Sequence, residues 1–256
     1  MNEPGTRDYF ALLKRLKKAL PPNPGHFYET GMVSAKGQEY PLIKIILGEG
    51  NPKRVLLSAG IHGDEPAGVE TICEFLEKEV FKEFCEEWEV TILPCLNPSG
   101  YAAATRTNHE EKDLNRLFKT NHSSIEVKLA QTVLNTPFDL TLELHEDIDS
   151  KGFYIYMKEL PETDPALGRK IINEAAKLMP INNDSEIEGV PADRGLLARL
   201  SDPEKMEWWP MALYAAAKGS KTCFTIETST FFPFETRIAC HRTAIKTALR
   251  NQTKFL

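Results

Sequence analysis

The sequence predicts a three-layer α/β/α fold with a mixed, largely parallel central sheet. Short apolar segments alternate with segments whose apolar residues recur at helical spacing, as expected where helices cover both faces of a sheet. Residues 55–60 form a nearly continuous apolar run, which is typical of a strand buried on both faces. Two strand-like segments near the N-terminus flank a turn, and they predict an additional hairpin.

The N-terminal part of the chain predicts a helix that leads into this hairpin. Apolar residues recur at helical spacing over residues 7–20, and the proline-rich segment 21–25 ends the helix. The strand-like runs of the hairpin lie at residues 26–34 and 41–47, with a turn at 36–39.

The remainder of the chain alternates predicted strands and helices. The further strands are expected at residues 55–60, 90–93, 138–144, 152–157 and 222–227. Helices are expected to begin at Pro66, at Ser123 or Ser124, at Asp164-Pro165, near Met211 and near Thr236. The segment Asn97-Pro98-Ser99-Gly100 predicts a turn, and residues 181–220 predict a long, weakly periodic excursion.

Composition and charge exclude several classes of protein. The chain has 256 residues, is 41% hydrophobic and 27% charged, and carries a formal net charge of −6. This balance gives no electrostatic footprint for nucleic acid or an anionic membrane. No apolar stretch approaches the ~20 residues that cross a bilayer, and the N-terminus does not resemble a signal peptide. Without a linker or internal repeat, we expect a single catalytic domain over residues 1–256, with residues 1–50 as its lead-in.

The five cysteines indicate a reducing compartment. Their number is odd, no Cys-x-x-Cys motif occurs, and four of them lie in apolar periodic segments where a small core residue is expected. Cytoplasm is therefore the predicted location.

Polar residues follow several predicted strands at the same edge of the sheet. His62 and Glu65, residues 106–116, His145 and Glu227 all fall at or just beyond predicted strand ends. Ligands bind at this edge in open α/β sheets, and residues distant in sequence converge there. Two histidines and one glutamate form a suitable set for Zn²⁺, which in catalytic sites keeps a fourth position for water. Each of these residues alone is more often structural than catalytic.

The ordered series of motifs resembles a known family. It consists of Gly-Ile-His-Gly-Asp-Glu at 60–65, Asn-Pro-Ser-Gly at 97–100, Arg-Thr-Asn at 106–108, Asp-Leu-Asn-Arg at 113–116, the strand ending at His145 and the strand ending at Glu227. In this order, the motifs resemble those of the zinc carboxypeptidases, the M14-type metallocarboxypeptidases. The chain also resembles, more distantly, the succinylglutamate desuccinylase/aspartoacylase branch of the same fold.

The resemblance implies a role for each matching residue. It implies one Zn²⁺ per chain, bound by His62, Glu65 and His145. The remaining roles fall to Glu227 as general base, Arg106 as the group that polarises the scissile carbonyl, Asn115 and Arg116 as the pair that holds the substrate carboxylate, and Asp113 as the carboxylate that orients His62. Asp113 also fits a simple loop or helix cap, and the arginines also fit solvated loop charges.

Departures from the family pattern leave the substrate open. Glu111-Lys112 before the Asp-Leu-Asn-Arg unit and Leu117 after it favour the deacylase branch, whereas Asn97-Pro98-Ser99-Gly100 favours the peptidases. The nearest candidate for the tyrosine that closes over substrate in digestive carboxypeptidases is Tyr214, in a different sequence context.

These observations predict a zinc-dependent hydrolase that cleaves an amide bond next to a free carboxylate. A carboxypeptidase or peptide amidase is the first expectation, and an N-acyl amino acid deacylase is the alternative. A non-catalytic binding protein is a third hypothesis, against which the intact metal and base set argues. The expected substrate is a small peptide or an acylated amino acid, with a specificity pocket lined from residues 190–220. The sequence predicts no particular side-chain preference or oligomeric state.

Overall fold

The computed structural model describes residues 7–21, 25–120, 124–159, 165–197 and 206–252. Its centre is an eight-stranded sheet with the strand order β1-β2-β4-β3-β5-β10-β6-β9. The strands are β1 (Gly25–Ala35), β2 (Gln38–Leu47), β3 (Lys53–Ala59), β4 (Trp88–Leu93), β5 (Leu140–Asp147), β6 (Tyr154–Glu159), β9 (Leu196–Leu197) and β10 (Thr222–Ser229). The short strands β7 (Glu186–Ile187) and β8 (Val190–Pro191) form a separate hairpin.

The sheet is mixed, as the sequence predicts. Its four middle strands β4, β3, β5 and β10 run parallel, and β9 is parallel to β6. The hairpin β1–β2 joins the parallel strands through an antiparallel β2–β4 pair, and β6 is antiparallel to β10. The middle strands are buried on both faces, which explains their nearly continuous apolar sequences.

Helices cover both faces of the sheet and confirm the three-layer architecture. The helices are α1 (Tyr9–Ala19), α2 (Pro66–Glu77), α3 (Pro98–Ala103), α4 (Ile125–Leu134), α5 (Ala166–Ala175), α6 (Met211–Ala217) and α7 (Phe234–Asn251). Apolar residues of α1, α2, α5 and α7 share one core cluster on one face. Those of α4 and α6 form a second cluster on the other face.

Two central strands extend further than predicted. The pairing of β5 with β10 continues as far as Asp147 opposite Ser229, so His145 lies within its strand and the strand that carries Glu227 continues past it. The last residues of both strands are polar, so the apolar pattern in the sequence does not predict them as strand. The backbone hydrogen bonds of a parallel pair do not require apolar side chains, so the ladder continues into the polar segment.

Two other local predictions need correction. The predicted turn at residues 97–100 is the start of α3, where the Asn97 side chain caps the helix and Pro98 occupies its first turn. The excursion at 181–220 contains the β7–β8 hairpin and β9 in addition to the predicted helix. These strands are two residues long, too short for a periodic signal. Ser123, Asp164 and residues 198–205 lie outside the described residues.

Two further observations concern the cysteines and the helices. Four cysteines (Cys73, Cys95, Cys223 and Cys240) are buried, and all five are free thiols. Within the described ranges, none of the helices combines the length and the apolar character needed to cross a membrane.

Candidate metal centre and catalytic site

The loop that carries His62 and Glu65 is fixed between β3, α2 and α3. Gly60, just after β3, has a φ of +62°, a conformation that strongly favours glycine. Gly63 lies directly against α3, since a Cβ atom there would come within 2.0 Å of the Gly100 carbonyl carbon. Glu65 immediately precedes α2, and Pro66 starts that helix. Both candidate ligands are therefore held by packed backbone.

His62, Glu65 and His145 form a compact buried cluster. Their candidate ligand atoms all lie within 4.8 Å of one another. Glu65 Oε1 is 2.6 Å from His62 Nδ1, and Glu65 Oε2 is 2.9 Å from His145 Nδ1. The His62 and His145 side chains are each 3% exposed. The structure thus brings together the three residues for which the sequence analysis predicts metal binding.

The charges within the cluster support one another. Burial alone would lower the pKa of His62, but the carboxylates of Glu65 and Asp113 outweigh it and raise this pKa to about 9. Burial likewise acts to raise the pKa of Glu65, and the two histidines hold it well below its usual range. Glu65 is therefore a carboxylate at neutral pH, as a metal ligand must be.

Asp113 connects His62 to Arg106. One oxygen, Oδ1, lies 3.1 Å from His62 Nε2 and accepts a hydrogen bond from the Asn115 N–H. The other, Oδ2, accepts a hydrogen bond of 3.1 Å from Arg106 Nε–H, and Arg106 Nη1 lies 3.5 Å from Glu65 Oε1. Asp113 is also the N-cap of the short 3₁₀ turn Leu114–Arg116. The capping interpretation and the orienting interpretation of Asp113 are thus compatible in one geometry.

Glu227 is the direct neighbour of His145 across the β5–β10 pair. On its other side it pairs with Tyr154 of β6. Burial raises its pKa well above the usual value, and the negative charges of Glu65 and Asp147 act in the same direction. A carboxylate beside a metal cluster with a raised pKa has the property that a general base at neutral pH requires.

Asn115 and Arg116 lie in the turn after Asp113. The Asn115 side-chain oxygen accepts a hydrogen bond from the Met211 N–H at the start of α6, so its amide NH₂ is the end that can donate to a ligand. The Arg116 guanidinium stacks on Trp208, 3.9 Å from the ring centroid. Such stacking holds the guanidinium plane in place while its edge can bind a carboxylate.

The structure also shows what surrounds the candidate site residues. Trp208 contacts Arg116. Glu146 is 4% exposed and lies behind the cluster, and Glu143 is 1% exposed. Tyr214 lies on α6 and packs against Phe118, with their ring centroids 5.8 Å apart. A buried glutamate beside an arginine of a distant helix has no local sequence signal, so Glu146 could not be recognised from spacing.

The residues present fit a divalent metal. Two imidazoles and one carboxylate converge in a buried site, and this is the donor set of catalytic zinc centres that keep one open position. Asp113 on the far nitrogen of His62 leaves Nδ1 to face Glu65 and a metal.

Comparisons with known proteins agree with this architecture. A metallopeptidase-type protein of Shewanella amazonensis superposes with a TM-score of 0.80 at 21% identity, covering 94% of this chain and 91% of that chain. A metallo-carboxypeptidase of Burkholderia cenocepacia gives a TM-score of 0.71 at 16% identity, covering 98% and 70%. A succinylglutamate desuccinylase/aspartoacylase of Rhodobacter sphaeroides gives 0.62 at 16%, covering 90% and 65%. At these identities, the likeness establishes the fold.

The fold and family together define a hydrolase with metallocarboxypeptidase-like architecture. The model of the succinylglutamate desuccinylase/aspartoacylase catalytic domain matches residues 51–249, and the chain belongs to that family. No curated protein is a significant match to the sequence. Both branches that the motifs resemble are thus represented, one by the family and the other by the carboxypeptidase neighbours.

Proposed function

We propose that the chain is a zinc-dependent hydrolase that cleaves an amide bond next to a free carboxylate. The observation that carries the proposal is the buried His62–Glu65–His145 cluster with Glu227 paired directly beside it. In this proposal His62, Glu65 and His145 hold the metal. When bound, Zn²⁺ would act as a Lewis acid and lower the pKa of a coordinated water to about 7.

The proposed chemistry assigns proton transfer to Glu227. Its carboxylate accepts a proton from the attacking water and delivers it to the leaving nitrogen, so that one water and one amide give one acid and one amine. Arg106 is 45% exposed and lies beside Glu65, where its N–H groups can meet negative charge that develops on the scissile carbonyl. Asn115 and Arg116 bind the free carboxylate of the substrate and orient the bond.

Separate variants test metal binding and proton transfer. His145→Ala removes one ligand, so zinc affinity should fall by several orders of magnitude and activity should be lost. Glu227→Gln keeps the metal cluster but removes the base, so the variant should bind zinc as the wild type does and lose about 10²–10⁴-fold in kcat. Zinc content by elemental analysis and turnover at saturating substrate are the two measurements. A Glu227→Gln protein with unchanged kcat would contradict the assignment of the base.

Two substrate classes fit the same chemistry. The carboxypeptidase neighbours support a peptide with a free C-terminal carboxylate. The family match supports an N-acyl amino acid. Parallel assays of N-succinyl- and N-acetyl-amino acids against dipeptides and tripeptides separate them. A ratio of kcat/KM above about 100 for one class corresponds to about 2.7 kcal/mol of discrimination and decides the question. Arg116→Met should raise KM for either class, because both present a carboxylate.

A further inference from the structure

Glu146, the residue after His145, contacts the metal loop from behind. We propose that Glu146, held by Arg237 of α7, is a positioning residue that fixes the first turn of α2 and thereby the carboxylate of Glu65. The inference rests on the metal centre proposed above and adds a support that none of the roles assigned so far includes.

Glu146 contacts the residues on both sides of Pro66. Its side-chain Oε2 accepts a hydrogen bond of 2.7 Å from the Ala67 N–H, in the first turn of α2. Its backbone N–H donates a hydrogen bond of 3.2 Å to Oε2 of Glu65. Both contacts are buried, so Glu146 defines the position of the helix start relative to β5.

Helix α2 needs this contact because of the role of Glu65. Glu65 occupies the N-cap position, but its carboxylate faces His62 and His145 and makes no capping bond within the described part of the chain. Pro66 has no N–H, so the Ala67 N–H is the first donor of the helix. An anion is favourable at a helix N-terminus. Glu146 supplies the acceptor that caps this N–H, and the carboxylate of Glu65 stays free for the histidines.

Arg237 offsets the free-energy cost of burying the carboxylate of Glu146. It forms an ion pair with Oε1 of Glu146, and both side chains are almost completely buried. Its guanidinium also lies 5.2 Å from the Phe234 ring centroid. Desolvation of a single buried charge is costly, so the ion pair with Arg237 favours the charged form of the Glu146 carboxyl group. One turn further along α7, His241 Nε2 lies 3.1 Å from the hydroxyl of Thr228, the residue after Glu227.

The chain contains a matched control for this pair. Arg242 of α7 also forms an ion pair with a glutamate, namely Glu74 of α2. Glu74 lies in the last part of α2, far along the helix from the metal loop, and its other oxygen pairs with Lys78. The Arg242–Glu74 pair therefore joins α7 directly to α2, without contacting the first turn of α2.

Two double variants separate capping from general stabilisation. Glu146→Gln/Arg237→Met removes both buried charges but keeps an oxygen that can accept from the Ala67 N–H. Glu146→Leu/Arg237→Met removes the acceptor as well.

Zinc affinity is measured by titration of the full chain against a competing chelator, and Co²⁺ absorption reports ligand geometry. The leucine variant should lose about 10- to 100-fold in zinc affinity, as is usual when a partner of a ligand is removed, with a changed Co²⁺ spectrum. The glutamine variant should stay within about threefold of the wild type, because the hydrogen bond is kept.

A control and a conservative variant complete the experiment. Glu74→Gln/Arg242→Met should lower the unfolding temperature and leave zinc affinity unchanged. Arg237→Lys keeps the buried charge and should lose less zinc affinity than Arg237→Met, which keeps the test decisive even where the leucine variant does not fold. Equal zinc affinities in the leucine and glutamine variants would overturn the inference, as would an equal loss in the Glu74 control. A wild-type chain that binds no zinc would instead overturn the proposed metal centre.

Discussion

At the residue scale, Glu143 is a buried carboxyl group close to the metal cluster that has none of the proposed catalytic roles. It lies on the same face of β5 as His145, two positions before it, and is 1% exposed. Neither carboxylate oxygen has a hydrogen-bond partner among the described residues. Burial raises its pKa to about 8, with His62 opposing the shift. Glu143 is therefore mostly protonated at neutral pH, in contrast to Glu65.

This shift makes the stability of the protein depend on pH. The unfolded glutamate has a pKa of about 4.3, so between about pH 4.5 and 8 the folded chain binds a proton that the unfolded chain has lost. The free energy of unfolding should therefore fall as pH rises through this window, by up to about 1.4 kcal/mol per pH unit from this group. Glu143→Gln should remove that slope. Urea unfolding at pH 5, 6, 7 and 8 measures it.

The exposed Glu86→Gln variant is the control for this measurement, since it changes one glutamate without changing a buried charge. Wild-type and Glu143→Gln proteins with the same pH slope would contradict the buried, protonated carboxyl.

At the scale of elements, α3 is a short helix that supports the metal loop. Its N-cap, Asn97, is fully buried, and its side-chain oxygen accepts a hydrogen bond of 2.9 Å from the Gly100 N–H. Gly100 in turn contacts Gly63, which leaves no room for a side chain at Gly63, and a Cβ atom at Gly100 would come within 2.3 Å of the Asn97 side-chain nitrogen. The cap of α3 therefore helps to fix the position of the loop that holds His62.

Removing this cap should weaken the fold. Asn97→Ala should lower the free energy of unfolding by about 1–2 kcal/mol, at the upper end of the usual range for an N-cap because the site is buried. Asn97→Asp keeps the acceptor and should recover part of the loss. Denaturant midpoints of the two variants provide the comparison. An alanine variant as stable as the wild type would show that the cap contributes nothing.

Features that depend on residues close together in the sequence could be predicted, whereas contacts between distant residues could not. The Asn97-Pro98 pair and the His-x-x-Glu motif are local patterns, so an ordered segment and a ligand pair were predictable there. The contacts of Glu146 with Arg237, and of Trp208 with Arg116, join residues that are far apart in the sequence. Only the folded chain brings them together. Hydrophobic periodicity carries no information about such pairs. The apolar pattern also predicts that β5 ends at Leu144. The strand continues because its pairing with β10 depends on backbone hydrogen bonds, which polar residues form equally well.

At the scale of the whole molecule, a metal at the cluster would join the two halves of the sheet. His62 and Glu65 come from the β3–α2 junction, whereas His145 comes from β5. A ligand that binds only the folded chain stabilises it by about 2.7 kcal/mol at 100 times its dissociation constant. The proposed metal is therefore expected to stabilise the entire fold.

Metal removal tests this expectation. Treatment with a chelator should lower the unfolding temperature by roughly 5–10 °C, given about 2–4 °C per kcal/mol for a chain of this size. Zinc should restore it, and His145→Ala should show neither change. Identical unfolding temperatures with and without chelator would contradict a structural contribution of the metal.

The β5–β10 register has a consequence for how such a site can diversify. Because His145 and Glu227 are paired residues of adjacent parallel strands, the spacing between the proposed metal ligand and the proposed base is set by backbone hydrogen bonds. The segments that follow these strands can vary in length and sequence without changing that spacing. Substrate preference can then change through loop replacement while the reacting groups keep their geometry. Loop grafting between peptide-cleaving and deacylating relatives is accordingly a practical route to new specificities on this scaffold.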